Sequence, residues 1–180
     1  RRHPLTDEDH TLDQAIALER ETLAPLHELA RLKIDTTRTT LHELRSLIRA
    51  RVAQRETGEL SVMLQSFGFK HGLPRNADFV FDARCLPNPH WQPTLRPHTG
   101  RDQPVIDFLG DDLKVVGMLS HIDDFLTHWI PCFEAEGRSY LTIAVGCTGG
   151  QHRSVYLVEQ LQKRFAQQGR SVVVHHRELS

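Results

Sequence analysis

The chain has few cysteines, and the three that it has, Cys85, Cys132 and Cys147, lie far apart. An odd and widely spaced set argues against a disulfide framework and for the reducing environment of the cytoplasm. The set also lacks the paired spacing of a structural zinc site, and the 12 histidines form no H-E-x-x-H pair. We therefore expect a cytoplasmic protein without a metal site.

Long apolar runs are missing as well. No stretch approaches the roughly 18 residues that a membrane-spanning helix requires, and no signal peptide is present, so we expect no membrane partner. The formal net charge of −1 means that binding to nucleic acid would need a local basic patch. The 180 residues begin at Arg1 and not at a methionine, and we expect a piece of a longer protein.

Residues 1–58 predict a polar, helical segment with too little apolar surface for a domain of its own. We expect it to be the end of an upstream domain, with a boundary near Gly58. The predicted elements are a helix from Thr11 or Asp13 toward Ala30 with a break or kink at Pro25, a short strand at 32–35, and a helix at 41–54 capped by Thr40.

Residues 59–180 predict a domain in which strands and helices alternate. The order of the elements favours an α/β fold with a mostly parallel sheet and crossover helices. The predicted strands are 60–66, 78–84, 140–145 and 171–175, the helices are 104–109, 111–133 and 152–168, and a long irregular loop rich in proline covers 85–101.

The most distinctive motif is G-C-T-G-G-Q-H-R-S at 146–154, between a predicted buried strand and a helix. The first N–H groups of a helix lack backbone partners and carry partial positive charge, so they favour anions. The alternative is a glycine-rich turn without a ligand. We expect Gly149 and Gly150 to turn backbone N–H groups toward an anion. Thr148 and Ser154 would add hydroxyl groups, and Arg153 would add a guanidinium.

The spacing Cys-x₅-Arg, from Cys147 to Arg153, also resembles the signature of cysteine-dependent protein phosphatases. In those enzymes a thiolate attacks phosphorus while the arginine holds the phosphoryl oxygens. Gly146 stands where they usually have histidine, and no aspartate is evident as the acid. Two possibilities therefore stay open for Cys147: it is the nucleophile of a phosphatase-like enzyme, or it is only a small residue of the loop.

The segment 67–101 is strongly basic although the whole chain is not, and its aromatic residues Phe67, Phe69 and Trp91 are interleaved with the charges. RNA binding uses this combination of stacking and phosphate contacts. A solvated basic loop with its aromatics turned into the core is equally compatible with the pattern. The basic residues are Lys70, His71, Arg75, Arg84, His90, Arg96, His98 and Arg101.

Four ordered motifs together resemble the RapZ family, the bacterial RNase adaptor proteins. They are S-F-G-F-K-H-G at 66–72, D-x-R-x-L-P-N-P-H-W at 82–91, L-R-P-x-T-G at 95–100 and G-C-T-G-G-x-H-R-S-V-Y at 146–156. The resemblance implies an N-terminal P-loop kinase-like domain followed by a C-terminal RNA-binding domain. Because G-x-x-x-x-G-K-[ST] is absent here, ATP or GTP would belong to an upstream part, and no cofactor is expected in this chain.

The resemblance further implies an adaptor, not an enzyme. It would bind a small regulatory RNA, present it to an endoribonuclease such as RNase E, and release it when glucosamine-6-phosphate binds. A homo-oligomer is also expected, and a nucleotide-dependent regulator whose hydrolytic half is missing stays an alternative. Some members of the family end in a short Lys/Arg tail that helps to bind RNA, whereas this chain stops at Arg177-Glu-Leu-Ser180, so we expect that either the tail is missing or RNA binding is weaker. The implied RNA and phosphate contacts are Lys70, His71, Asn88, His90, Arg96, Thr99, Cys147, Thr148, Gly149, Gly150, His152, Arg153 and Ser154.

Overall fold

A computed structural model describes residues 11–37, 39–53 and 60–179 of the chain. It divides the chain into two compact units, one up to Lys33 and the other from Ile34 onward. The boundary predicted near Gly58 lies outside the described residues and stays a prediction.

The first unit contains one described helix, α1, at Leu12–Leu29. Its start is fixed by a capping box, because Thr11 N donates to Gln14 Oε1 at 2.9 Å and Gln14 N donates to Thr11 Oγ1 at 3.4 Å. The helix continues through Pro25, so the predicted break is not present. Proline costs one backbone hydrogen bond there, but its fixed φ of about −65° is itself a helical value.

The strand predicted at 32–35 is wrong, since these residues are irregular. The Asp35 carboxylate accepts a hydrogen bond from Thr37 N at 3.0 Å, which makes a local turn. Such bonds offer the backbone an alternative to a strand ladder. The apolar residues Leu32 and Ile34 alone were too short a pattern to decide between the two.

The second unit begins with α2 at Leu41–Ile48, which continues as a π-helical turn at Arg49–Ala53. The predicted cap is confirmed: Thr40 N donates to Glu43 Oε2 at 2.7 Å, and Glu43 N donates to Thr40 Oγ1 at 3.3 Å. The last residue of the predicted helix, Gln54, lies outside the described part of the chain.

Four parallel strands form the sheet of the second unit, in the order β2-β3-β1-β4. The strands are β1 at Ser61–Gly68, β2 at Phe79–Asp82, β3 at Tyr140–Cys147 and β4 at Val173–His176. This confirms the predicted α/β class with a parallel sheet. The register pairs Gly68 with Cys147 and Asp82 with Gly146, so the carboxyl ends of β1, β2 and β3 meet at one edge. Ligands of open α/β sheets bind at this edge.

Three helices supply the crossovers: α3 at Gln103–Gly110, α4 at Leu113–Ala135 and α5 at Arg153–Gln167. Each begins and ends within two residues of its predicted position. Alternate side chains of the central strands, such as Leu64 on β1 and Ile143 on β3, pack against these helices in one apolar core. This core fixes where α5 begins, and therefore where the loop before it lies.

Arg51 lies against the backbone of the central strands and is almost fully buried. Its Nη1 donates to the carbonyl oxygen of Ser61 at 3.0 Å, and its Nη2 donates to Thr142 Oγ1 at 3.3 Å. Burial lowers the pKa of Arg51 to about 10. The residues from Ile34 to Ala53 thus belong to the same compact unit as the sheet.

Among the helices that the structure describes, none is long and apolar enough to cross a membrane.

Candidate functional site

A pocket of about 160 Å³ lies where the carboxyl ends of β1 and β3 meet the start of α5. Its walls come from three separate stretches: the turn after β1, the 3₁₀ turn Pro89–Trp91, and the continuous segment from the end of β3 through the loop to the start of α5. The lining residues are Lys70, Asn88, His90, Cys147, Thr148, Gly149, Gln151, His152 and Arg153. All except Gln151 were among the contacts implied by the sequence.

Cys147 holds the loop before α5 through contacts of its sulfur atom. Its Sγ accepts a hydrogen bond from Gly150 N at 3.2 Å and lies 3.2 Å from Ser154 Oγ. Gly150 has a φ of 78°, a conformation that glycine adopts without a steric penalty. Gly150 and Ser154 were expected to face an anion, but their polar groups instead support Cys147, and neither lines the pocket.

Gly100, the last residue of the L-R-P-x-T-G motif, lies against the start of α5. A Cβ added there would lie 2.3 Å from the carbonyl oxygen of His152 and 2.4 Å from Tyr156 N. Gly100 N also donates to the carbonyl oxygen of Gln151 at 2.8 Å. The chain before α3 therefore packs directly on the start of α5.

Arg153 is 4% exposed and ties two loops together. Its Nη1 donates to the carbonyl oxygens of Arg84 at 2.8 Å and Leu86 at 3.0 Å, and its Nη2 donates to Thr148 Oγ1 at 3.2 Å. Its Nε is buried and has no hydrogen-bond partner within the described part of the chain. Part of the predicted phosphate fork is thus used inside the protein, while one donor stays open.

His152 is 6% exposed and is the N-terminal cap residue of α5. Burial lowers the pKa of His152, while the backbone carbonyls of Leu95 and Arg96 act in the opposite direction. Its Nε2 is buried and has no partner among the described residues. The ring of His90 lies edge to face with it, with 6.3 Å between the centroids. Two imidazoles therefore share one wall of the pocket.

Lys70 brings the flexible positive charge of the site. It lies in the 3₁₀ turn Phe69–His71, and its backbone N donates to the carbonyl oxygen of Thr148 at 3.2 Å. A Cβ added to Gly149 would lie 3.7 Å from Lys70 Nζ, so the ammonium group lies beside the loop. Lys70 is exposed, which lets it close over a ligand at the mouth of the pocket.

Three other predicted contacts do not line the pocket. The carbonyl oxygen of His71 accepts from Arg177 Nη2 at 3.5 Å, and Arg96 Nε donates to the carbonyl oxygen of His90 at 3.2 Å. Thr99 donates through N and Oγ1 to Asp102 Oδ2, at 2.6 and 3.0 Å. Arg96 therefore supports the turn that carries His90, and Thr99 lies at the start of α3.

Much of the basic segment 67–101 is paired with acids. Arg84 donates to both carboxylate oxygens of Asp82 and lies over the Phe69 ring at 3.9 Å, and Arg101 Nε donates to Glu159 Oε1 at 2.6 Å. Phe67 is fully buried and its ring packs on that of Phe69 at 4.8 Å. For Phe67, the interpretation that the aromatic ring turns into the core is correct, whereas Phe69 is only partly buried.

Gln151 and the carbonyl groups that hold Arg153 were missed by the sequence reasoning. Gln151 lies inside the motif at 146–154, so its position between the glycines and His152 was a usable signal. The carbonyls of Arg84 and Leu86 left no such signal, because every residue has a backbone carbonyl. Across the described ranges, no three His, Cys, Asp or Glu side chains are grouped to hold a metal ion.

The fold and the site define a class: an α/β domain with a parallel sheet and a small cationic pocket at the carboxyl edge of its strands. The family of the RapZ C-terminal domain matches residues 60–180, and that of the RapZ-like N-terminal domain matches residues 1–56. The chain belongs to the RapZ family.

Similar proteins are named nucleotide-binding proteins. One from Methylococcus capsulatus is 56% identical over 99% of this chain and 61% of its own length. Another from Cellvibrio japonicus is 52% identical over 99% of this chain and 60% of its own length. A third, from Alkalilimnicola ehrlichii, is 53% identical over 100% of this chain and 62% of its own length. The chain thus spans about three fifths of the length of these relatives.

Proposed function

We propose that this chain is the RNA- and sugar-phosphate-binding part of an adaptor, and that its pocket holds one phosphate group. The observation that carries the proposal is that two buried residues lining the pocket, Arg153 and His152, each keep one polar atom, Nε and Nε2, without a hydrogen-bond partner among the described residues. Both side chains are more than nine-tenths buried. A buried polar atom without a partner is costly unless a ligand supplies one.

The charge of the pocket selects the ligand. Among the described residues, the hydrogen-bond partners of the Arg153 guanidinium are two backbone carbonyls and a hydroxyl, with no carboxylate. Lys70 adds a second cation beside Gly149, and the first turn of α5 adds backbone N–H groups with partial positive charge. An oxyanion with several acceptor oxygens satisfies these donors better than a neutral ligand does.

The size of the pocket limits how much of the ligand is enclosed. About 160 Å³ equals the space of about five water molecules at roughly 30 Å³ each. It is well below the roughly 300–1,000 Å³ of pockets that bury a whole small molecule. The site therefore encloses a phosphate and a few neighbouring atoms, and the rest of the ligand extends outward. An RNA backbone and a hexose phosphate share this end group.

One pocket for both ligands gives competition without a conformational switch. We propose that a small regulatory RNA binds with one backbone phosphate in the pocket, that glucosamine-6-phosphate displaces it, and that bound RNA is presented to an endoribonuclease such as RNase E. Membership of the RapZ family supports the adaptor role.

The test is RNA binding measured by the anisotropy of a labelled regulatory RNA at several salt concentrations. Lys70→Ala should weaken binding and reduce the slope of log affinity against log salt by about one. Lys163→Ala is the matched control, since Lys163 is an exposed lysine of α5 that does not line the pocket, and it should keep the parent affinity. Equal affinity for the parent protein and Lys70→Ala would contradict the proposal.

Competition measurements test which part of the sugar phosphate enters the pocket. Glucosamine-6-phosphate should release the labelled RNA, whereas glucosamine without the phosphate should not, because the pocket encloses the phosphate end. Inorganic phosphate should compete more weakly than the sugar phosphate. If glucosamine alone competes as well as its 6-phosphate, the ligand does not enter the pocket by its phosphate.

The adaptor role needs a reconstituted reaction. RNase E should cleave the regulatory RNA faster when the protein is added, and glucosamine-6-phosphate should remove that acceleration. Lys70→Ala should accelerate cleavage less than Lys163→Ala does at the same concentration. Cleavage at the same rate with and without the protein would contradict the adaptor role and leave phosphate binding as a separate result.

The names of the relatives support a nucleotide site in the complete protein. We propose that ATP or GTP is bound by the part of those relatives that this chain does not span, because no G-x-x-x-x-G-K-[ST] occurs in these residues. The cytoplasm as the site of action and a homo-oligomeric state belong to the same proposal. Sedimentation of the protein measures the oligomeric state directly.

The geometry at Cys147 supports a second candidate, a cysteine-dependent phosphatase. Cys147 lines the pocket, and its sulfur accepts a hydrogen bond from Gly150 N at 3.2 Å. This candidate predicts turnover of an aryl phosphate that disappears in Cys147→Ser. An adaptor without catalysis predicts phosphate binding with no turnover in the parent protein.

A further inference from the structure

Trp91 is an exposed aromatic side chain at the rim of the site, with 79% of its surface open to solvent. It is one of two tryptophans in the chain. The other, Trp129 on α4, packs its ring near those of Phe125 at 6.5 Å and His128 at 4.9 Å. None of the ring contacts among the described residues involves Trp91. An indole that is exposed to this extent is available to an incoming aromatic group.

The backbone under Trp91 is well fixed. Asn88 Oδ1 accepts from His90 N at 3.3 Å, and Trp91 N donates to the carbonyl oxygen of Asn88 at 3.1 Å. Pro89 is buried at the start of the same 3₁₀ turn, and Arg96 holds the carbonyl oxygen of His90. The indole therefore extends from a turn that is already ordered, which reduces the entropy lost on binding.

The same turn forms part of the phosphate pocket. Asn88 and His90 line the pocket. Consecutive Cα atoms are about 3.8 Å apart, so the Cα atom of Trp91 lies at about that distance from the Cα atom of His90. A single-stranded nucleic acid with one phosphate in the pocket carries unpaired bases on the nucleotides beside that phosphate. Bases stack on aromatic side chains in this setting without regard to sequence.

We propose that Trp91 is a stacking platform for an unpaired RNA base next to the phosphate held in the pocket, which makes it the residue that distinguishes RNA from a sugar phosphate. This inference rests on the proposed function. The positive charge of Arg153, Lys70 and Arg96 around the turn favours a polyanionic partner over an apolar protein surface. A hexose phosphate has no aromatic base, so it uses the pocket alone.

The first experiment measures affinity for two ligands in parallel. Trp91→Ala should weaken binding of a short single-stranded RNA at least about fivefold, the lower end of the loss for one stacked base. Trp91→Phe should restore most of that affinity, since phenylalanine keeps an aromatic face. Glucosamine-6-phosphate should bind the parent protein, Trp91→Ala and Trp91→Phe with the same affinity. Trp129→Ala is the matched control and should leave the affinity for both ligands unchanged.

A second measurement observes the indole directly. In Trp129→Phe, Trp91 is the only tryptophan left, and its fluorescence should be quenched by the RNA but not by an abasic ribose-phosphate oligomer of the same length. Unchanged emission with RNA, together with parent affinity in Trp91→Ala, would overturn the inference. If Lys70→Ala still weakens RNA binding in that case, the proposed function stands and only the stacking role fails. If the parent protein binds no RNA at all, both fail.

Discussion

Arg153 Nη1 donates to the backbone carbonyl oxygen of Leu86 at 3.0 Å, so the first residue of α5 holds the loop that leaves β2. The same atom also donates to the carbonyl of Arg84. A residue expected from its motif to be a ligand contact is therefore also a structural link between two loops. Substitutions at Arg153 change folding and binding together, which decides how the site must be tested.

The stability of the domain should depend strongly on Arg153. Arg153→Ala should lower the free energy of unfolding by roughly 2–4 kcal/mol, because it leaves buried carbonyls without donors and opens space in the loop. Urea denaturation measures this difference. The control is Arg164→Ala, which removes the partly exposed ion pair with Asp123 and should cost less than about 1 kcal/mol. Equal losses in the two variants would contradict the structural role of Arg153.

Gly150 and Gly169 have similar positive φ values, so alanine substitutions at the two positions distinguish the cost of backbone strain from the cost of close packing. Gly169, with φ 76°, has nothing within 4 Å of an added Cβ, so Gly169→Ala should cost only the left-handed conformation, about 1–2 kcal/mol. At Gly150, with φ 78°, an added Cβ would lie 2.4 Å from Glu178 Oε2 and 2.7 Å from Gly68 N. Gly150→Ala should therefore cost a further 1–3 kcal/mol or so in thermal or urea unfolding. Losses of the same size at both positions would show that the loop can move aside.

Stability should fall as the solution becomes mildly acidic. Burial lowers the pKa of His152, His175 and His176 below the ordinary value of 6.5, and for His176 the hydrogen bond to Glu159 acts in the opposite direction. Below pH 6.5 the unfolded chain therefore binds protons that the folded chain does not, and the free energy of unfolding decreases until the pH reaches the folded-state pKa values.

The measurement is urea unfolding between pH 7.5 and 5.5. His175→Gln should make stability less dependent on pH in this range, because it removes one partly buried imidazole whose pKa is lowered by burial. His128→Gln, at an exposed histidine of α4, controls for the loss of an imidazole from the surface. A parent protein whose stability is constant or rises as the pH falls would contradict the burial of these side chains.

The three thiols should differ in their reactivity. Cys85 and Cys132 are exposed, whereas Cys147 is buried and lines the pocket. A thiol-specific chromogenic reagent should label two sites quickly and the third slowly, and phosphate should slow the third further by filling the space in front of it. Cys147→Ser should keep both rapid reactions and lose the slow one. A third thiol that reacts as fast as the others, or that phosphate does not protect, would place Cys147 outside the pocket.

Most of the second unit could be predicted from the sequence. The β-branched and apolar run at 140–145 and the amphipathic pattern after Arg153 are typical of a buried strand and of a helix packed against it, and both are present. The short strand predicted at 32–35 failed because a pattern of four residues cannot outweigh a local turn made by Asp35.

The sequence predicted most of the residues that line the pocket but not the hydrogen bonds that they make. The motif at 146–154 placed Thr148, Gly149 and Arg153 at the site. It did not show that the N–H of Gly150 would be used by the sulfur of Cys147, because such a bond depends on the path of the folded loop. Nor did it show which aromatic residues of the basic segment are buried. Phe67 and Trp91 look alike in sequence, and only their positions relative to the sheet distinguish them.

The most direct test of the account is a calorimetric titration of glucosamine-6-phosphate into the parent protein, Lys70→Ala and Lys163→Ala. Lys70 is a better probe than Arg153 because it lines the pocket while exposed, and its side chain makes no hydrogen bond or ion pair with the described residues that would hold the fold. The account predicts binding by the parent protein and by Lys163→Ala, and an affinity about tenfold lower for Lys70→Ala, equivalent to roughly 1.4 kcal/mol. No binding by the folded parent protein, or the same affinity in all three proteins, would contradict a phosphate site in this pocket.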